Sequence, residues 1–360
     1  MSSALTTLVA LGVALATAGC HHLGPNTVSR DRTDYASSIS ESWKRQTLLN
    51  IVKLRYLDPP IFVDVGQIVA GYSLETTVNA GANFPQNGNV GGTTATLGAA
   101  ARYTDRPTIT YTPLTGNRFV RSLMTPLPPE SIFYTIQSGW PADGVLFATV
   151  ASMNGLKNQE TSAGSVSPPD PRFLRALSLM RSLQVSGAVG MRVEAGDKEQ
   201  RKATIVTFRA AKEPPEALEQ SRELRELLGL DQQASEFRLV FGGTASSDKE
   251  LSVLSRSILH LMQAMALEVE VPPADAAEGR VTPGSQGAAG EPASPRLVRI
   301  YSSKSHPKDA FVAVRYRGHW YFIDDRDLRT KRTFAFMMLL FTLADTGEKE
   351  NLPLITIPAQ

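Results

Sequence analysis

Cysteine is almost missing from this chain: Cys20 is the only one in 360 residues. That excludes an intramolecular disulfide and any cysteine-based metal cluster in the remainder. An excess of charge of either sign is missing too. With 37 Lys+Arg against 35 Asp+Glu, no global field favours nucleic acid or an acidic polymer. No apolar run reaches the roughly 20 residues that a membrane-spanning helix needs. Catalytic signatures are absent: there is no Gly-x-Ser-x-Gly elbow, no His-Glu-x-x-His and no Asp-x-Asp-x-Asp-Gly calcium loop. Ser42-Trp43-Lys44-Arg45 holds the serine and lysine of a Ser-x-x-Lys pair in the wrong order, so Ser42 is no nucleophile. Gly88-Asn89-Val90-Gly91-Gly92 and Gly242-Gly243 lack the Lys-Ser/Thr of a phosphate cradle and read as a hairpin loop and a turn. No repeat of fixed period is visible, which argues against a solenoid or propeller. The sequence therefore implies no catalytic residue, no cofactor and no metal-ligand set.

What is present suffices for a folded protein. The hydrophobic content is 42%, enough for a sizeable core in one large domain or two ordinary ones. Residues 1–19 carry no charged side chain, and residues 5–18 form an apolar run of signal-peptide length. The run ends Ala16-Thr17-Ala18-Gly19-Cys20, small residues directly before the cysteine.

This ending resembles the lipobox of bacterial lipoprotein precursors, from which it departs in lacking an early Lys or Arg and in placing Thr17 where Leu is commoner. The resemblance implies cleavage of residues 1–19, a thioether-linked diacylglycerol on Cys20 and an acylated new amino terminus. It implies a protein anchored to the cell envelope, and with His21 after the cysteine it favours the outer membrane, facing the periplasm. Acyl chains supply the anchor because each buried methylene contributes about 0.8 kcal/mol. The other reading of the same residues is a buried helix, or an ordinary cleaved signal with a chance cysteine.

The mature chain reads as an α+β protein. Residues 20–33, with Gly24, Pro25 and Asn26, show no apolar periodicity and are expected to form a tether. Residues 34–56 repeat apolar positions every three or four residues, predicting an amphipathic helix that Asp58-Pro59-Pro60 stops. From 72 to 112 Thr, Val, Ala, Gly and Asn alternate around Pro85-Gln86-Asn87-Gly88-Asn89, predicting a β-hairpin with a further strand at 108–112. The helix and hairpin are grouped as one region, 34–158, with short packed helices in its second half. Residues 158–170 are expected to be a linker. A mixed region, 171–273, follows, with helices at 172–183, 215–228 and 248–267 and strands at 188–194, 204–209 and 236–241. Residues 274–295, without an aromatic, predict a flexible loop. A last region, 296–360, carries strands at 297–301, 311–316 and 320–323, a fully buried helix at 330–343 and a terminal strand at 354–357.

Two candidate surfaces stand out. His306, His319, Asp324, Asp325 and Asp327 are the densest group of metal-ligating and acid/base residues, and they support an alternative in which the protein is a lipid-tethered hydrolase or metal-dependent enzyme using His319, Asp324 and Asp325. The structural account makes Asp324 to Asp327 a strand-exit turn, with Arg326, Arg329, Lys331 and Arg332 as ion-pair partners. The hairpin is the other candidate. It has the small, alternating composition of outer-membrane barrel strands, although a few strands cannot close a barrel, and pairing within the domain or with a partner's sheet edge is expected. The leading expectation is a non-enzymatic envelope protein that meets the membrane through lipid and meets an envelope partner through the hairpin. Trp43 and Ile51 on the first helix are expected in the core rather than on a membrane surface, and so are Tyr134, Trp140 and Pro141 rather than along a ligand groove.

Overall fold

The computed structural model describes residues 25–69, 71–83, 94–115, 117–162, 165–194, 203–208, 215–282, 284 and 296–344. It is an α+β protein, organised as two units: Ile61–Thr115, and the rest of the chain.

The larger unit opens with helix α1 (Pro25–Arg55). It begins within the expected tether, so residues 25–33 are helical. Proline suits a first helical turn, and no breaker follows it before the amphipathic stretch. Leu48, Ile51 and Val52 are fully buried on its inward side. Beyond the smaller unit come α2 (Asn117–Met124), α3 (Pro129–Gln137) and α4 (Ala142–Thr149). Strands β5 (Val150–Met153) and β6 (Leu156–Lys157) follow, then the short hairpin β7 (Glu160–Ser162) and β8 (Ser165–Ser167); β1 to β4 belong to the smaller unit below. The expected linker at 158–170 is thus an integral part of this unit. Asn158 is buried because its side-chain amide donates to the Phe147 and Val150 carbonyls at 2.8 and 2.7 Å, and its Oδ1 accepts from the Gln159 amide at 2.7 Å. A polar side chain is stable in the interior when it is satisfied in this way.

Helix α5 (Pro171–Ser186) is bounded by Asp170, which accepts from the Arg172 amide at 2.8 Å, and by Gly187 at φ 81°. Next are β9 (Val189–Glu194), β10 (Ala203–Phe208), α6 (Pro215–Leu227), β11 (Glu236–Phe241) and β12 (Glu250–Ser255). They complete a six-stranded sheet in the order β6-β5-β12-β11-β10-β9, antiparallel except for β11 with β12. Helices α3, α4 and α5 pack against this sheet, whose centre includes Phe208 and Phe237 with rings 5.5 Å apart.

Sequence periodicity predicts one helix over 248–267; instead β12 occupies its first part and α7 (Ile258–Ala266) the rest. Leu251 and Val253 alternate into the core, and Ser257 caps α7 by accepting from the His260 amide at 3.2 Å. Sheet pairing overrides the local helical preference here.

The start of the expected loop at 274–295 is ordered as α8 (Pro273–Ala277); residues 285–295 lie outside the described residues, as does the expected strand at 354–357. Strands β13 (Tyr301–Ser303), β14 (Ala310–Tyr316) and β15 (His319–Asp324) form a second sheet in the order β13-β15-β14. Helix α1 packs on β14 and on α7, so the first helix belongs with the C-terminal strands in the larger unit and is not grouped in one unit with residues 61–115. Helix α9 (Leu328–Ala344) is one-sided rather than fully buried: Phe334 and Met337 are inside, while Leu339 is 43% exposed. No helix among the described residues is long and apolar enough to cross a membrane.

The smaller unit is a two-stranded ribbon. Strand β1 (Phe62–Val69), which sequence patterning does not single out, pairs antiparallel with β4 (Thr108–Leu114). Strand β2 (Tyr72–Asn83) pairs with β3 (Thr94–Asp105) through twelve consecutive residue pairs. The Arg106 amide donates to the Gly71 carbonyl at 2.9 Å between the two ladders.

Candidate functional site

The ribbon's chemistry follows from its register. Directly opposed residues share a face, and alternate residues along a strand do so too. In β2 and β3 one face is assigned Tyr72 and Val78 with Ala99, Ala101 and Tyr103; the other is assigned Ser73, Glu75, Thr77 and Asn79 with Thr96, Gly98, Ala100, Arg102 and Thr104. Glu75 stands opposite Arg102 on the polar face. Val78 is 66% exposed, Tyr103 is 51% exposed, and the rings of Tyr72 and Tyr103 stack at 6.2 Å. In the β1/β4 ladder a bulge at Gly66 changes the parity of β1, so Val65 opposite Tyr111 and Ile68 opposite Ile109 lie on one face. Among the described residues neither β2 nor β3 has a second strand neighbour. Among the described residues the ribbon therefore presents an apolar face, a polar face and two outer edges with no strand neighbour. The turn-forming residues Pro85 to Asn89 lie outside the described residues, and so does Cys20.

The second candidate is not assembled as a site. His319 and Asp324 begin and end β15, about 17 Å apart at roughly 3.4 Å per residue and on opposite faces. His306 stands with its ring edge-to-face against Trp320 at 4.4 Å. Asp324 accepts from the Arg326 amide at 2.8 Å, Asp325 pairs with Lys331 at 2.6 Å, and Asp327 accepts from the Thr330 hydroxyl at 2.7 Å. Arg326 pairs instead with Asp309, at 2.7 Å. Among the described residues no three His, Cys, Asp or Glu side chains converge to hold a metal.

A polar cluster that sequence patterning does not reveal lies where α1 ends, buried at Tyr56 and Tyr321 and open to solvent at Asp58 and Arg317. The Tyr56 hydroxyl donates to Asp275 Oδ2 at 2.6 Å and shares a 2.6 Å hydrogen bond with the Tyr321 hydroxyl. The Arg317 guanidinium lies 4.8 Å from the centre of the Tyr56 ring and pairs with Asp58 at 3.3 Å, while the Tyr316 hydroxyl also donates to Asp58. Burial, then the bond to Asp275, pushes the Tyr56 phenol well above its usual range. It remains a neutral donor that ties α1 to α8 and β15, not a base or nucleophile. Tyr56→Phe leaves the Tyr321 hydroxyl short of its buried partner. It is expected to cost about 1–2 kcal/mol, read as a lower urea midpoint with an unchanged m-value.

Tyr134 is half-exposed and Trp140 packs on Phe336 with ring centres 5.0 Å apart. A cleft of about 440 Å³ opens nearby, lined by Phe133, Ile136, Gln137, Gln184, Val189 and Met191 among others, with no titratable side chain in its lining. The amide of Gln184 is committed: its nitrogen donates to the Ile136 and Trp140 carbonyls, both at 2.7 Å, and its oxygen accepts from the Ala142 amide at 3.0 Å. The cleft thus offers shape without directed chemistry. Comparison with known protein families, with curated proteins and with solved structures finds no match for this chain.

Proposed function

We propose that this chain is a lipid-anchored cell-envelope protein, tethered through acyl chains on Cys20 and facing the periplasm, that binds or assembles other envelope components without catalysis. The ribbon Ile61–Thr115 is its contact element. The observation that carries this reading is the ladder of twelve paired residues whose two outer edges have no strand neighbour among the described residues. An isolated two-stranded hairpin is at best marginally stable in water. A free strand edge is a template for pairing. Both features favour a ribbon that is completed by what it meets. The sequence Ala16-Thr17-Ala18-Gly19-Cys20 supports the anchor.

The reading is tested with a photo-crosslinking residue placed at Val78 and at Tyr111 in living cells, and at exposed Glu219 as a control. The ribbon positions are expected to yield a discrete cross-linked species, and its capture from Tyr111 is lost when residues 73–102 are deleted. Cross-linking no stronger at the ribbon than at Glu219 overturns it.

A further inference from the structure

We infer that the partner of each ribbon is a second copy of this chain, and that several copies close a β-barrel which crosses a lipid bilayer. This rests on the envelope reading above and goes beyond it. The first support is the pairing of faces. In β2/β3 one face collects Tyr72, Val78, Ala99, Ala101 and Tyr103, and the other serine, threonine, asparagine, glycine, Ala100 and the Glu75/Arg102 pair. A strand of a membrane barrel alternates in this manner, apolar toward lipid and polar toward the lumen. A ribbon added to another protein's sheet in water would satisfy its edges but leave the apolar face wet.

Length is the second support. Each of β2 and β3 has twelve residues, and a bilayer-crossing strand needs about 9–11. Twelve residues at about 3.4 Å each, tilted by about 40°, rise about 30 Å, the thickness of the hydrocarbon layer. Tyr72 and Tyr103 stack at the end nearest β1 and β4, where an aromatic girdle meets the water interface.

The edges decide the occupant. Hydrocarbon offers no hydrogen bonds, so a strand edge is not tolerated there and only a closed barrel removes every edge. One ribbon brings two edges, one on β2 and one on β3. Placing the β3 edge of one copy against the β2 edge of the next is a head-to-tail contact that closes into a ring. A barrel needs about eight strands or more, hence about four copies or more.

Cys20 is the chain's only cysteine, so on the lipoprotein reading a newly introduced thiol is labelled without competition. Single cysteines at Val78, Asn79, Ala99 and Ala100 carry an environment-sensitive fluorophore in the full lipidated protein, reconstituted into phosphatidylcholine/phosphatidylglycerol vesicles. The fluorophore at Val78 and Ala99 is expected to shift to the blue and to be quenched by brominated acyl chains. At Asn79 and Ala100 it is expected to be quenched by aqueous iodide instead. Native mass spectrometry of the detergent-extracted protein is expected to show four or more copies, falling to one when residues 73–102 are deleted. Four water-exposed reporters, or a single copy in detergent and in vesicles, overturn the barrel. If ribbon-dependent cross-linking to a different envelope protein persists in that case, the contact-element reading survives alone. If deletion of the ribbon changes neither cross-linking nor copy number, both readings fall.

Discussion

Arg256→Met is expected to destabilise the larger unit by about 3–5 kcal/mol, read from the shift in urea midpoint at constant m. Arg256 is 2% exposed between β12 and α7. Its guanidinium donates to the carbonyls of Phe147 and Ala148, both at 3.1 Å, and to that of Gln159. These carbonyls lie in α4 and at the exit of β6, so one side chain joins three segments. Burial pushes its pKa down to about 10, so it enters the interior as a cation at neutral pH. Methionine relieves the desolvation of that charge, but it takes the guanidinium donor from the Ala148 and Gln159 carbonyls, while the Phe147 carbonyl keeps only the Asn158 amide. Each such group costs about 1–3 kcal/mol, and the lost bonds outweigh the relief.

The same substitution has a titration signature. The His260 imidazole is held below its usual pKa by burial first and by the Arg256 charge second, against an opposing pull from Glu160. The folded state therefore takes up its proton at lower pH than the unfolded chain. His260 contributes stability that is present above the unfolded value near 6.5 and is lost as pH falls through the lower folded value. In Arg256→Met the imidazole is expected to titrate at higher pH by NMR, and the acid-side loss of stability narrows. An unmoved His260 resonance together with an unchanged urea midpoint would overturn the role assigned to Arg256.

Cys20→Ala, introduced into the chain lacking residues 73–102 so that the ribbon adds nothing, is expected to move the protein from the membrane pellet to the soluble fraction. A single acyl chain binds a bilayer only marginally, with a partition constant of about 10⁴ M⁻¹, whereas a second and third chain each add about 0.8 kcal/mol per methylene. Loss of the whole set therefore changes partitioning by several orders of magnitude. Mass spectrometry of the mature amino terminus is the direct check. An unmodified Cys20, or cleavage elsewhere, removes the anchor from the proposed function while leaving the ribbon's geometry intact.

Several features of the fold are legible without tertiary information because their causes are local. The end of α1 before Asp58-Pro59-Pro60, the presence of a helix over 172–183, which α5 extends to Pro171–Ser186, and the alternation through β2 and β3 each depend on neighbours within a few residues. The two faces of the ribbon were readable for the same reason, since period-two patterning names them. Its first strand was not, because the parity of β1 breaks at the Gly66 bulge.

The dispersed features were decided by contacts across the chain. Residues 250–255 read as helix by period, yet they pair with β11 and β5 on either side. Asn158 and Gln159 read as a polar linker until the carbonyls of α4 and β5 and the Arg256 guanidinium satisfy them. Tyr56 meets Asp275 and Tyr321 across 219 and 265 positions of sequence, and no local period records such a meeting. His319 and Asp324, close in sequence, are carried apart by an extended strand. By itself the sequence determined the α+β composition, the ribbon's two faces and the lone cysteine at position 20, since each follows from residue type and spacing. Tertiary structure decided which buried polar groups find partners and which helix joins which sheet, because burial and long-range hydrogen bonding exist only once distant segments have packed.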